Sequence, residues 1–270
     1  MATGLRLVAE AVAQPPERES VLNVSGAGVR FGDVDVLKGV DFDLRKGEFV
    51  CVIGPSGSGK TTLLRLLAGL IAPAEGSVSY RGAEHRGPSK HIAIVFQDYV
   101  NALLPWRTAA GNVSLALEAE GYPRAKRPER ITQLLAKVGL ASSADKYPSE
   151  MSGGMQQRLQ IARCLAQDPD VLLMDEPFGA LDAMTRQRLQ DEVLGIVGES
   201  NVTTFFVTHD LEEAIYLADR IIALEPEPGR IGRIFDVTLP RPRDQLATRE
   251  TAEFLKLRRA LFDFVQRFEK

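Results

Sequence analysis

The chain contains few cysteines and no long apolar run. Cys51 and Cys164 are its only cysteines, and their spacing fits neither a metal site nor a redox pair. No apolar stretch approaches the roughly 18 residues that a transmembrane helix needs. Arg6 and Glu10 interrupt the apolar residues near the N-terminus, which argues against a secretory signal. We therefore expect the chain to reside in a reducing cytosol. If it functions at a membrane, we expect it to do so by docking on another protein.

A strong excess of charge of one sign is also missing. The 33 Lys and Arg residues nearly balance the 36 Asp and Glu residues, which leaves a formal net charge of -3. This balance gives no electrostatic reason to expect a nucleic acid partner. The 270 residues, 44% of them hydrophobic, are enough for one large domain with a buried core.

Apolar runs with strand character fall into two groups. Short runs at 21–24, 29–31, 34–37, 40–44 and 49–53 alternate with Gly and Asp, which predicts antiparallel strands feeding a first parallel strand. Further strands are predicted at 77–80, 92–96, 171–174, 203–207, 221–224 and 231–235, with helices at 183–198 and 211–218. Between about 101 and 167 helical periodicity replaces the strands, so we expect a helical subdomain inserted in the sheet.

The two ends of the chain differ from this α/β region. Residues 1–20 are interpreted as an extension, and residues 21–240 as the main domain. In the tail, 241–270, apolar residues recur at helical spacing. A packing helix with a solvated basic face and a membrane-surface or regulatory helix both fit this pattern.

Residues 54–61 read Gly-Pro-Ser-Gly-Ser-Gly-Lys-Thr and match the phosphate-binding pattern G-x-x-x-x-G-K-[ST]. An apolar run precedes them and a leucine-rich stretch follows, as the strand–loop–helix context requires. Backbone N–H groups of such a loop converge on phosphate oxygens at a helix N-terminus. The sequence therefore predicts a nucleoside triphosphate site. Its expected contacts are Gly54, Pro55, Ser56, Gly57, Ser58, Gly59, Lys60, Thr61 and Thr62.

Two carboxylates, Asp175 and Glu176, end the apolar run at 171–174. Beside a phosphate-binding loop, Asp175 is expected to hold Mg²⁺ together with the Thr61 hydroxyl. Lys60 is expected to reach the β- and γ-phosphates. Glu176 is placed to polarise an attacking water, either by abstracting its proton or by orienting it.

Ser152, Gly153 and Gly154 open a further predicted helix and form a second candidate anion site. Because the helical insert separates this site from the phosphate-binding loop, it is best explained across a dimer. There it would cap the γ-phosphate held by the partner. A small-molecule kinase would not need this feature and would need an acceptor site instead.

Ser152-Gly153-Gly154-Met155-Gln156 resembles the signature motif of ABC-type ATPases, and the order of the other motifs over roughly 21–235 is similar to that family. The resemblance implies an ABC-type P-loop fold with a mixed, mainly parallel sheet, an antiparallel β subdomain and an inserted helical subdomain. It also implies ATP, Mg²⁺ and a second ATPase subunit.

The resemblance assigns further roles. Gln97 matches the glutamine that contacts Mg²⁺ or the attacking water and senses a transmembrane partner. Asp182 lies in the loop that crosses the dimer interface, and His209 matches the switch histidine at the γ-phosphate. Phe31 matches the aromatic residue that stacks on adenine. Together with the signature residues Ser152, Gly153, Gly154 and Gln156, these complete the expected site.

Four segments, 103–108, 177–182, 217–220 and 228–231, resemble the nitrate/sulfonate/taurine importer group. This implies an ATPase subunit that drives a membrane permease from the cytoplasmic face, with a solute-binding protein as an indirect partner. Trp106 is then either a subdomain anchor or part of the groove for a permease helix. The alternative is a soluble ABC ATPase acting on DNA or ribosomes, which usually carries long coiled-coil inserts or tandem cassettes that this chain lacks.

Overall fold

The computed structural model describes residues 19–179 and 181–268, except for the side chains of Tyr99 and Val100. Most of the extension expected over 1–20 therefore lies outside the described residues. The strands are β1 (Ser20–Phe31), β2 (Val34–Arg45), β3 (Phe49–Ile53), β4 (Glu75–Tyr80), β5 (Ala83–Glu84), β6 (Ile92–Val95), β7 (Val171–Asp175), β8 (Thr203–Val207), β9 (Arg220–Glu225) and β10 (Arg230–Asp236). The helices are α1 (Lys60–Leu67), α2 (Tyr99–Ala102), α3 (Ala109–Ala119), α4 (Arg127–Lys137), α5 (Gly153–Leu165), α6 (Ala183–Ser200), α7 (Leu211–Leu217) and α8 (Ala252–Gln266).

The larger sheet has the strand order β10-β9-β3-β8-β7-β6. Strands β6, β7, β8, β3 and β9 run parallel, and among the described strands of this sheet only β10 pairs antiparallel to its neighbour. Every residue of β3 and β8 is buried. The continuous apolar sequence of β3 follows from this burial, because helices cover both faces of a parallel sheet. β8 begins with two buried threonines, Thr203 and Thr204.

The smaller sheet is antiparallel, with the order β2-β1-β4-β5. Its strands are longer than the sequence predicted, since the runs at 21–24 and 29–31 both belong to β1, and those at 34–37 and 40–44 both belong to β2. The prediction of separate strands was wrong because bulges, not turns, occupy the glycine positions. Gly26 and Gly39 adopt left-handed φ values of 55° and 59°, and the register shifts between Val24 and Ala27.

Helices α2 to α5 follow β6 without an intervening strand in this part of the chain. Their buried residues join the same core as one face of the parallel sheet, including Val113, Leu135 and Leu159. Helix α5 also contacts β6 directly, where the Cys164 thiol donates to the Ile94 carbonyl at 3.3 Å. Among the described residues, no helix combines the length and the apolar character needed to cross a membrane.

The C-terminal helix α8 packs on α7 and on β10 at the edge of the larger sheet. Its buried residues are Phe254, Leu257, Leu261 and Phe264. The Phe264 ring meets Phe235 of β10 edge-on, with 6.5 Å between ring centroids. Leu255 and Phe262 lie on the opposite, exposed face. The periodic apolar residues of the tail therefore serve mainly as core.

This packing predicts that two leucines of α8 differ in their contribution to stability. Leu261 is 0% exposed and Leu255 is 42% exposed. Leu261→Ala should lower the free energy of unfolding by about 2–5 kcal/mol, because it removes buried methyl groups and leaves a cavity. Leu255→Ala is the matched control, and its effect should be less than half as large. Denaturant titration measures both, and equal losses would contradict the docking of α8.

Candidate functional site

The candidate site lies at the carboxyl edge of three neighbouring parallel strands. The glycine loop follows β3, Asp175 ends β7, and His209 comes two residues after the end of β8. In the ladder Val52 pairs with Val207, and Val207 pairs with Asp175. Ligands of open α/β sheets bind at this edge, because the loops that follow the strands converge there.

The loop 54–59 has a backbone that only glycine adopts readily. Gly54 has a φ of 155°, and a Cβ there would lie 2.7 Å from Ser58 Oγ and 2.8 Å from the Leu224 carbonyl oxygen. Gly59 has a φ of 87°, and its Cβ would lie 2.6 Å from Leu37 Cδ2. Gly57 has a φ of 79° with nothing within 4 Å of a built Cβ, so its backbone faces open space. The loop thus presents uncovered backbone at the start of α1, as an anion cradle requires.

Lys60 turns back into this loop. Its ammonium donates hydrogen bonds to the carbonyl oxygens of Gly54 and Pro55, both at 2.9 Å. Burial lowers the pKa of Lys60, while attraction to Glu176 and Asp175 opposes that shift. A half-buried cation that bonds to neutral carbonyls is suited to receive an anion, which would compensate its desolvation.

Asp175 and Thr61 meet across the same cleft. The Thr61 hydroxyl donates to Asp175 Oδ1 at 3.2 Å. Burial raises the pKa of Asp175, and the Thr61 hydrogen bond partly offsets this. Within 19–179 and 181–268, no group of three or more His, Cys, Asp and Glu side chains is arranged to hold a metal ion. A carboxylate beside a hydroxyl nevertheless fits Mg²⁺, which takes one or two protein carboxylates and completes its shell with phosphates and water.

Glu176 and His209 lie next to each other at the same carboxyl edge, after β7 and β8. His209 Nδ1 lies 3.1 Å from Glu176 Oε2, and the imidazole is 65% exposed. The backbone N–H of Glu176 donates to the Val207 carbonyl at 3.0 Å. Glu176 has a φ of 42°, a left-handed conformation that costs a non-glycine residue about 1–3 kcal/mol. Such strain concentrates at functional sites, and here it accompanies a carboxylate held at the mouth of the cleft.

The signature residues are placed on a different element, the start of α5. Ser152 caps this helix by accepting from the Met155 N–H at 3.4 Å. Gln156 donates to the carbonyls of Pro148 and Met151 at 2.9 and 3.1 Å, so its amide fixes the segment that enters the helix. A Cβ on Gly154 would lie 3.3 Å from Thr185 Cγ2 of α6. These contacts preorganise the helix N-terminus and do not involve the phosphate-binding loop.

The remaining predicted site residues lie at the ends of other elements. Asp182 caps α6 by accepting from the Thr185 N–H at 3.0 Å, and this bond is the main cause of its lowered pKa. Gln97 follows β6 and is exposed; the residue before it, Phe96, bonds through its backbone to the Gln160 amide of α5. Phe31, at the end of β1, is 53% exposed. Hydrogen bonds and charge interactions thus connect Lys60, Thr61, Asp175, Glu176 and His209. Asp182, Gln97, Phe31 and the signature residues lie on other elements.

Sequence reasoning missed a buried polar group beside His209. Thr208, Glu213 and Gln190 are each at most 4% exposed and are hydrogen-bonded to one another. The spacing of Asp210 and Glu213 matches a capping box, which would send the Glu213 carboxylate back to the helix start. In the structure that carboxylate bonds to the side chains of Gln190 and Thr208, so local spacing alone does not identify these contacts.

Comparisons with known proteins agree with this geometry. A family model described as "ABC transporter" matches residues 37–179. An ABC transporter ATP-binding protein, MJ0412 of Methanocaldococcus jannaschii, is 47% identical over 86% of this chain and 85% of its own. The aliphatic sulfonates import ATP-binding protein SsuB 1 of Xanthomonas axonopodis is 47% identical over 84% of this chain and 90% of its own. The nitrate import ATP-binding protein NrtC of Synechococcus elongatus is 45% identical over 87% of this chain, which spans only 36% of that longer relative.

Two solved structures are similar in fold. The cbiO1 protein of Clostridium perfringens, part of the ABC transporter complex cbiONQ, is 25% identical with a TM-score of 0.73, covering 82% of this chain and 89% of its own. The ATP-binding cassette MJ0796, in a dimeric post-hydrolysis state with ADP and Pi, is 31% identical with a TM-score of 0.68, covering 80% and 98%. The α/β fold class and the family expected from the motifs are therefore confirmed. The chain belongs to the ABC transporter family and is an ATP-binding, ATP-hydrolysing member of it.

Proposed function

We propose that the chain is the ATPase subunit of an importer and couples ATP hydrolysis to a membrane permease. The observation that carries this proposal is the convergence of Lys60, Thr61, Asp175, Glu176 and His209 at one edge of the parallel sheet. A phosphate cradle, a cation, a metal-suited carboxylate and a second carboxylate paired with an imidazole together suit hydrolysis of a phosphoanhydride.

ATP is the substrate of this site. The triphosphate enters the loop 54–59, whose exposed backbone and α1 N-terminus favour negative charge. Lys60 exchanges its bonds to the Gly54 and Pro55 carbonyls for bonds to the β- and γ-phosphates. Phe31 supplies an exposed ring for adenine at the end of β1.

Thr61, Asp175 and Gln97 would hold Mg²⁺. When bound, the ion neutralises phosphate charge during transfer of the γ-phosphoryl group. The chain contributes the Thr61 hydroxyl and the Asp175 carboxylate, already 3.2 Å apart. Gln97, exposed after β6, would add an amide oxygen near the attacking water.

Glu176 and His209 act on water and on the γ-phosphate. The Glu176 carboxylate accepts a proton from, or orients, the attacking water, and His209 donates to the γ-phosphate. In the structure these two side chains bond to each other at 3.1 Å. A neutral imidazole has one N–H, so a His209 that donates it from Nδ1 to Glu176 must exchange this acceptor for the γ-phosphate, which frees Glu176 for water.

The site of one chain is completed by a second copy or a close paralogue. Ser152, Gly153 and Gly154 form a capped helix N-terminus, yet their contacts run to α5 and α6. An anion-binding end without a role in its own chain is explained if it closes on the partner's γ-phosphate. Asp182 would then lie at the same interface. ATP acts as a ligand that favours the closed dimer, and hydrolysis reopens it.

The imported solute is proposed to be a small oxyanion. Relatives of this chain are named for nitrate, aliphatic sulfonates and bicarbonate, and each of these is a small oxygen-bearing anion. The permease and a solute-binding protein would recognise it, so its identity leaves no trace in the ATPase site. The chain would lie peripherally on the cytoplasmic face, where ATP is available. Trp106, which is 71% exposed, would contact the permease.

Two substitutions separate hydrolysis from binding. Glu176→Gln should retain ATP affinity and lower kcat by about 10²–10⁴-fold, because the amide cannot act as a base. Lys60→Met should lose ATP binding itself, since it removes the cation of the cradle. Fluorescent-nucleotide titration and phosphate-release assays measure the two effects. A Glu176→Gln variant that hydrolyses ATP at the wild-type rate would refute the role given to Glu176.

The permease partnership is tested by affinity purification of tagged chain from detergent-solubilised native membranes, followed by mass spectrometry. A multi-span permease should co-purify, and Trp106→Ala should reduce its yield several-fold. Leu246→Ala is the matched control, because Leu246 is exposed to a similar degree, 74% against 71%. An eluate of nucleic-acid-binding or ribosomal proteins without a permease would favour the soluble ATPase instead.

A further inference from the structure

The C-terminal segment, residues 241–258, is bonded to α7, the helix that follows His209. His209 lies two residues before α7 (Leu211–Leu217), and α7 packs against α8. The polar contacts between this segment and α7 reach both ends of the helix. A buried hydrogen-bond network of Thr208, Glu213 and Gln190 links these contacts to the loop that carries His209.

The network begins at the Thr208 hydroxyl. It accepts from the Asp210 N–H at 3.0 Å, so it bridges the residues on either side of His209. It also donates to Glu213 Oε2 at 2.5 Å. The Thr208 N–H meanwhile donates to the Val52 carbonyl of β3 at 3.1 Å. The backbone around His209 is therefore fixed on both sides by one side chain and anchored to the strand that precedes the phosphate-binding loop.

Glu213 and Gln190 carry the network inward. Glu213 is 4% exposed, and its Oε1 accepts from Gln190 Nε2 at 2.9 Å. Burial raises the pKa of Glu213, whereas the hydrogen bonds from Thr208 and Gln190 act in the opposite direction. Each Glu213 oxygen thus holds a different element: one holds the loop of His209, and the other holds α6.

The C-terminal segment completes the network from outside. Gln190 Oε1 accepts from Gln245 and from Arg249, both at 3.3 Å. Arg249 also pairs with Glu212 at 2.7 Å, and its guanidinium lies 5.3 Å from the centre of the Tyr216 ring. Glu212 is the neighbour of Glu213 in the first turn of α7. Arg249 therefore binds α7 directly through Glu212. It also donates a hydrogen bond to the Gln190 side chain, which contacts Glu213.

The other end of α7 is held by Arg243. Its guanidinium donates to the carbonyls of Ile215, Tyr216 and Ala218 at 3.3, 2.6 and 2.7 Å. These are final carbonyls that a helix leaves without intrahelical partners. Burial lowers the pKa of Arg243 to about 10. Asp210 caps the N-terminus of this seven-residue helix, and Arg243 binds its C-terminal carbonyls. The helix therefore has little freedom to shift relative to the sheet.

We propose that the C-terminal segment is a positioning element of the ATPase, which fixes His209 through Gln190 and Glu213. It builds on the role of His209 proposed above. In ATP hydrolysis a displacement of about 1 Å in a group that contacts the reacting phosphate can cost up to about 10²-fold in rate. The polar contacts of the segment run to α6 and α7 and not to the residues proposed to bind ATP, so it acts through His209.

Arg249→Met tests this proposal, because it keeps the aliphatic stem and removes the bonds to Gln190 and Glu212. The expected kcat for ATP falls about 10- to 100-fold, while KM changes less than twofold. Arg259→Met is the matched control: Arg259 lies in α8, the helix that follows Arg249, is 79% exposed and pairs with Asp263. It should leave kcat unchanged.

A spectroscopic readout separates positioning from general destabilisation. The chain has three histidines, His85, His91 and His209, whose Cε1–H resonances can be observed by isotope labelling and assigned with His209→Ala. In Arg249→Met only the His209 resonance should shift or broaden. A folded variant with unchanged His209 resonance and unchanged kcat overturns the proposal, and so does a change in all three resonances.

Glu213→Gln decides the question if Arg249→Met does not fold. It keeps the size of the side chain. One of the two carboxylate oxygens, which accept from Gln190 and from Thr208, becomes an NH₂ donor, so the same selective change at His209 is expected. The role of His209 itself is tested separately. If His209→Ala hydrolyses ATP at the wild-type rate, that role fails, whereas a selective His209 resonance shift would still support the positioning network.

Discussion

The constraint on which the site depends is the shared carboxyl edge of β3, β8 and β7. Parallel pairing places the ends of these strands side by side, so the glycine loop, the two carboxylates and His209 converge although they are far apart in sequence. The full burial of β3 and β8 keeps that edge rigid. Short loops after these strands then supply the groups that the chemistry needs. They are a phosphate-binding loop, the Lys60 cation, the Asp175 carboxylate for a metal ion and the Glu176 carboxylate for water.

Around this edge the chain provides two kinds of support. Internal support comes from the buried Thr208–Glu213–Gln190 network and the C-terminal segment, which together hold α7 against α6. We propose that a second copy supplies the remaining support, because the contacts of Ser152 and Gly154 run within α5 and to α6. Under this proposal the chain hydrolyses ATP only when a second copy closes on it.

Much of this was predictable from the sequence. The loop 54–61 specifies its own backbone, since glycines at left-handed φ and a following lysine leave few alternatives, and the continuous apolar runs identify buried parallel strands. The bulges of β1 and β2 were not predictable, because a glycine between two apolar runs signals a turn as readily as a bulge. The role of Glu213 was not predictable either, because its bond to Gln190 depends on how α6 packs against α7.

The central claim is that ATP binds at this edge and is enclosed between two copies. Sedimentation velocity of Glu176→Gln with ATP and Mg²⁺ tests it most directly, with Gly154→Leu added in the same background as the control. A Cβ at Gly154 already lies 3.3 Å from Thr185, so the larger side chain should distort the signature without touching the loop that holds ATP. The account predicts a dimer for Glu176→Gln with ATP, a monomer without ATP, and a monomer that still binds ATP for the double variant. A Glu176→Gln chain that binds ATP and stays monomeric would contradict it.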